Sequence, residues 1–226
     1  MNTSRQHGFT LWELLMTLLV AGILFGIGVP NVMEFQRNAA MTAAANDLVT
    51  ATLMARTEAI KRQSPVTLCL SDDPMAPTPT CTPDAVYDSA TRGYVVWVDE
   101  NDNLDADGAR ILTDGTDGNR AIDAGELVLS RYAAPGASTR VHISANCGYI
   151  TFGAAGFPLP IAAPCVAPAR AVLFCDDRGQ RIAAGALSSA RVVWTSPAGR
   201  AQVLAEKSQL TTGLMAGFTA NGANCP

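Results

Sequence analysis

The sequence predicts an α+β protein in which one long N-terminal helix precedes nothing but strands, and three observations carry that prediction. The run from Leu14 to Met33 contains twenty residues and no charge. Beyond it, Met41, Ala44, Leu48, Ala51, Ala55 and Ala59 recur at spacings of three and four, the helical period. After Pro65 the apolar segments shorten, turn rich in β-branched and aromatic residues, and alternate with Gly, Pro and Asp. A helix followed only by strands implies an antiparallel sheet, or two, packed on the helix's amphipathic half.

At about 1.5 Å rise per residue, the uncharged run makes a helix of roughly 30 Å, the thickness of a bilayer's hydrocarbon core. A secretory leader is the competing reading, since Arg5 precedes the apolar stretch. A leader would end in a small-residue cleavage site, whereas here the apolar segment passes through Pro30 into a helical pattern with no Ala-x-Ala step. The segment is therefore expected to stay in the mature chain as a single membrane span. Arg5 and His7 on its short N-terminal side place that side in the cytoplasm and the remainder outside. The helix is expected to run from Thr10 to Arg62, kinked near Pro30, where a backbone donor is missing and the ring meets the preceding turn.

Glu13 stands at the edge of this apolar run, and a carboxylate in hydrocarbon costs at least a few kcal/mol, so it needs a partner. The stretch Gly8-Phe9-Thr10-Leu11-Trp12-Glu13 resembles the prepilin cleavage motif of type IV pilins and type II secretion pseudopilins. Ala55 to Cys69, ARTEAIKRQSPVTLC, resembles the helix end of the GspH/FimT branch of minor pilins and pseudopilin H. The resemblance implies cleavage between Gly8 and Phe9 by a prepilin peptidase and N-methylation of Phe9. It also implies a type IV pilin-like fold, and it puts the family's assembly glutamate at Glu13 and its helix-kinking proline at Pro30. Trp12 departs from the smaller aliphatic residue usual there. In this reading Glu13 meets the N-terminal amine of a neighbouring subunit, and a subunit in the wrong register leaves the charge unpaired. The plainer alternative is an interfacial Glu13 that reaches water or its own N-terminal amine.

The resulting organisation is a leader over 1–8, a transmembrane and assembly helix over 9–33, an amphipathic helix half over 34–64, and a β-rich periplasmic domain over 65–226. The full chain of 226 residues carries a formal net charge of −4. From Asp99 to Glu126 nine acidic residues face only Arg110 and Arg120, whereas from Leu127 to Pro226 eight basic residues outnumber three acidic ones. The C-terminal part is thus a candidate basic surface. All six cysteines, Cys69, Cys81, Cys147, Cys165, Cys175 and Cys225, lie beyond the span, and no C-x-x-C pair suggests zinc or a redox site. Disulfides suit an exported domain. Cys69 with Cys81 is the first expected pairing because it closes a short proline-rich loop; Cys175 with Cys225 would pin the C-terminal tail, and buried free thiols are the alternative.

Strand patterns begin at VTLCL after Pro65 and recur at Tyr94 to Val98, Leu127 to Ser130, Val141 to Ser144, Tyr149 to Phe152, Ala171 to Cys175, Arg191 to Trp194 and Ala201 to Ala205. Between Ser71 and Asp84 four prolines predict an irregular surface excursion.

Catalysis finds no support: the two histidines are His7, in the expected leader, and His142, in a strand pattern, and no nucleophile elbow, P-loop or dinucleotide fingerprint occurs. No cofactor is expected. Asp99 to Gly108 and Asp117 to Glu126 alternate oxygen-bearing side chains as calcium loops do, but Leu104, Arg110 and Ala121 occupy positions that the glycine and ligands should hold. A solvated turn region is the reading taken, and no metal is expected. Some minor pilins of the family that this chain resembles bind DNA, and a C-terminal Gly-Arg-x-Arg pattern is associated with that; here GRAQ, Gly199 to Gln202, keeps its first half and has Gln202 in place of the second arginine. Arg178, Arg181, Arg191 and Arg200 are the candidate phosphate contacts.

The function these readings imply is a non-catalytic minor pilin of a type IV pilus, anchored in the inner membrane and joining other pilins through its N-terminal helix. Two alternatives stay open: pseudopilin H of a type II secretion system, and a DNA-binding minor pilin.

Overall fold

The computed structural model describes residues 10–81, 92–99, 122, 126–136, 139–143, 148–159, 170–178, 182–183, 186–187 and 189–204. Among the described residues one helix, α1, spans Leu11–Arg62 and carries Pro30 within it. The chain divides into two compact units, Met1–Arg37 and Asn38–Pro226, so the boundary falls inside α1. In the first unit the helix carries no charge from Leu14 to Met33, and Leu24 and Phe25 there are 67% and 70% exposed. Such continuous exposed apolar surface calls for lipid or partner helices.

In the second unit α1 buries Met41, Ala44, Ala45, Leu48, Ala51, Thr52, Ala55 and Ala59. Six of these are the expected stripe; Ala45 and Thr52 widen it. Thr52 is tolerated because its hydroxyl donates to the Leu48 carbonyl at 2.7 Å, satisfying the polar group inside the core. The helix stops at Gln63, whose φ of 55° breaks the spiral in the left-handed manner of a C-cap, while its side-chain amide donates to the Ile60 carbonyl. Lys61 and Arg62 in the last turn pair with Glu58, and the Arg62 hydrogen bond holds the Glu58 carboxyl below its ordinary range.

Among the described residues, ten short strands follow: β1 Val66–Ser71, β2 Gly93–Val98, β3 Val128–Tyr132, β4 Arg140–Ile143, β5 Tyr149–Phe152, β6 Ala171–Cys175, β7 Ile182–Ala183, β8 Ala186–Leu187, β9 Ala190–Thr195 and β10 Ala201–Leu204. They form two four-stranded sheets, ordered β3-β2-β1-β5 and β10-β9-β6-β4, and a separate β7-β8 pair. Every pairing is antiparallel, with β1 set against β2 from Val66↔Val98 to Ser71↔Gly93. All eight expected strands are present, β5 and β6 with the expected bounds and the others within two residues of them. The β7 and β8 strands were not expected.

One core joins α1 to both sheets. Ala44, Leu48, Ala51 and Ala55 pack with Leu68, Val96, Ile150 and Phe152 of the first sheet and with Val172, Phe174 and Val193 of the second. The alternate residues of the same strands are buried on the far faces: Cys69, Val95, Trp97 and Tyr149 in one sheet, Leu173, Cys175, Ala190 and Val192 in the other. Strands covered on both faces read as continuous apolar runs, which is why VTLCL and YVVWV lack a polar alternation.

The irregular excursion after β1 is fixed from three sides. Cys69 and Cys81 are disulfide-bonded, as expected from their spacing. Arg131 on β3 donates to the carbonyls of Ala76 and Pro77, and Arg92 pairs with Asp72. Cys175 is also disulfide-bonded, to a partner outside the described residues. Cys147, Cys165 and Cys225 lie outside them too.

Candidate assembly site

Gly8 and Phe9 lie outside the described residues, and the N-terminal site is visible from Thr10 onward. Thr10 immediately precedes α1, and its hydroxyl accepts a hydrogen bond from the Glu13 backbone N–H at 3.2 Å. The Thr10 carbonyl accepts the first helical bond, from the Leu14 N–H at 3.1 Å. Thr10 is therefore the N-cap and Glu13 the third helical residue, the threonine-to-glutamate spacing of a capping box. A carboxylate at this point complements the positive end of the helix dipole. Glu13 is exposed, as is Pro30. The sequence marked Glu13 as a charge needing a partner; its place in the first turn, shared with Thr10, is an additional structural reason for it that the resemblance alone did not supply.

In the second unit, three of the four candidate arginines are described, and each has a different setting. Arg178 is only 12% exposed in its side chain and grips Asp176, which is 1% exposed, through Nε at 2.9 and 3.0 Å and through Nη2 at 2.6 Å. The Asp176 carboxylate also accepts the Arg178 backbone N–H at 3.0 Å, a local turn made by two neighbouring residues. Arg178 Nη2 then donates to Asn38 on α1. Arg191 on β9 is half-buried and donates to the Ala190 carbonyl; burial, and next the Arg178 charge, draw its guanidinium below the ordinary arginine value. Arg200 is exposed, in the turn between β9 and β10, and Arg181 lies outside the described residues. Sequence reasoning missed Asp176 and Asn38 as the partners of Arg178. The adjacent Asp-Asp-Arg triplet carried part of that signal, and the distant asparagine carried none.

The acidic stretch from 99 to 126 lies mostly outside the described residues. Asp99, at its start, is buried: its side chain accepts the Thr67 hydroxyl at 3.0 Å, and Thr67 shares a 2.7 Å hydrogen bond with Thr151. Among the described residues no group of three or more His, Cys, Asp or Glu side chains is arranged to hold a metal ion.

A long helix, apolar in its N-terminal half and capped by Thr10, that continues into a two-sheet antiparallel unit defines a type IV pilin-like protein. Residues 3–29 match the prokaryotic N-terminal methylation motif. Residues 44–199 match the family described as type II transport protein GspH, and the chain belongs to that family. Among solved structures it is similar to the type IV minor pilin FimU of Pseudomonas aeruginosa in two crystal forms. The first shares 18% identity and a TM-score of 0.41 over 77% of this chain and 94% of that one. The second shares 17% and 0.37 over 72% and 90%. Comparison with curated proteins gives no match.

Proposed function

We propose that this chain is a non-catalytic minor pilin that enters a type IV pilus through its N-terminal helix and takes part in priming assembly at the tip. The observation that carries the reading is the methylation motif over residues 3–29 joined to a 52-residue helix whose third residue is Glu13. A prepilin peptidase cuts between Gly8 and Phe9, Phe9 is N-methylated, and Glu13 then faces the new amine of an adjacent subunit. Before assembly the helix holds the protein in the inner membrane as a single span, with Arg5 on the cytoplasmic side and the β-rich unit in the periplasm. Glu13→Ala should leave membrane insertion intact and deplete the protein from sheared filaments, and Gly8→Ala should leave the leader attached. Normal incorporation of both variants would refute the reading.

A second reading, pseudopilin H of a type II secretion system, is favoured by the description of the matching family. Deleting the gene and measuring piliation beside protein secretion separates the two. DNA contact, as a further role of the same subunit, rests on the exposed Arg200. An electrophoretic mobility shift lost on Arg200→Ala and weakened by salt would support it, and an unchanged shift would end it.

A further inference from the structure

A groove of about 420 Å³ runs along the second unit between α1 and the edge of the first sheet. Its floor is the methyl groups of Ala40, Ala43 and Ala44, its wall is Tyr94 and Tyr132, and Asp47 stands beside them. Tyr94 and Tyr132 are directly opposite each other on β2 and β3, and their rings stack with centroids 4.6 Å apart. Three properties define what such a groove can accept. Among the described residues that line it, Asp47 is the one charged side chain. Tyr94 is only 3% exposed, and its phenol lines the groove beside the Asp47 carboxylate. The alanines keep the floor shallow and apolar, so an incoming alkyl chain can lie against the helix without displacing anything.

An anion would be repelled by Asp47, and a purely apolar group would desolvate the carboxylate without supplying a partner, which costs free energy. A cation on an aliphatic stem meets all three conditions: its charge pairs with the carboxylate, it donates to the phenol oxygen, and its methylenes cover the alanine methyls. We propose that the groove receives a lysine or arginine side chain of a neighbouring pilin subunit, held by Asp47 and the Tyr94 hydroxyl. Charge complementarity selects the basic side chain; the subunit as its source rests on the assembly reading above. Glu13 would then be matched, in the β-rich unit, by a second carboxylate that awaits a charge from another chain.

Two measurements separate the groove's chemistry from the identity of its occupant. The full chain in detergent micelles, with methyl-labelled alanine, is titrated with Nα-acetyl-arginine methylamide and its lysine, leucine and glutamate counterparts. The arginine and lysine compounds should give saturable shifts at Ala40, Ala43 and Ala44, weakened roughly tenfold or more by Asp47→Asn, an exposed substitution that leaves the core untouched. Equal shifts from the leucine compound, or from Asp47→Asn, would overturn the proposal. In cells, a photoreactive benzoylphenylalanine at Ala43 should crosslink to a pilin peptide containing a lysine or arginine, and neutralising that residue should abolish the crosslink. A crosslink to lipid, to a peptide without a basic residue, or none from an incorporated subunit would overturn the subunit as occupant. Intact titration with no incorporation into filaments would refute the assembly reading and the subunit with it, leaving the cation preference standing.

Discussion

Arg178 Nη2 donates to the Asn38 side-chain oxygen at 2.9 Å, linking positions 140 residues apart in the chain. The same guanidinium is neutralised by Asp176, so a nearly buried ion pair at the end of β6 fastens the second sheet to the start of the buried half of α1. Removing one partner of a buried pair leaves a desolvated charge, which typically costs more than the pair contributes. Asp176→Ala should therefore destabilise the full chain by about 3 kcal/mol in denaturant unfolding. The Asp176→Ala, Arg178→Ala double variant should lose less than the sum of its single substitutions, because no stranded charge remains.

The Cys69–Cys81 bond closes a segment with a sequence separation of 12, anchored at one end in the fully buried strand β1. Constraining an unfolded loop of that length contributes on the order of 2–3 kcal/mol. The Cys69→Ala, Cys81→Ala double variant should show that loss in denaturant unfolding, with no leftover thiol to exchange with Cys175. Limited proteolysis should cut the variant first in the proline-rich excursion.

Arg56 lies against two tight turns, donating to the Gly199 carbonyl at 3.4 Å. Gly156 and Gly199 adopt φ of 74° and 75°, where a side chain is strained. A Cβ on Gly199 would also sit 2.7 Å from the Gly156 carbonyl oxygen, a backbone atom that cannot swing aside, whereas on Gly156 it would meet the flexible end of Ile60 at 2.6 Å. Both alanine variants should be destabilised by about 1–3 kcal/mol, with Gly199→Ala the more severe in thermal unfolding.

Burial, followed by the Asp47 and Tyr132 charges, holds the Tyr94 phenol above its ordinary range. A folded-state value raised above the unfolded one means that the contribution is complete below about pH 10 and is lost as the pH rises beyond it. Ultraviolet titration should find one tyrosine that ionises only with alkaline unfolding, and Tyr94→Phe should make the full chain less sensitive to alkali. Ionisation of every tyrosine near the ordinary value while the fold persists would contradict this.

The sequence by itself determined the long helix, its buried stripe and most of the strands, because these depend on local repetition. A run without charge, apolar residues every three or four positions, and short β-branched segments between turn residues are each written in neighbouring positions. The Cys69 and Cys81 pairing was legible for the same reason: the loop that joins them is short. Tertiary structure decided which strands are neighbours. Placing β5 beside β1 and β4 beside β6 depends on which faces can be buried together against one helix. It also decided the fate of the arginines. Charge counting gave Arg178 and Arg200 equal standing, yet one is sealed against Asp176 and Asn38 and the other is exposed. The two-residue strands β7 and β8 escaped notice because two residues are too few to display a period. The groove beside Asp47 was equally invisible in sequence, since its walls come from α1, β2 and β3, and only packing brings a carboxylate, a buried phenol and three methyl groups together.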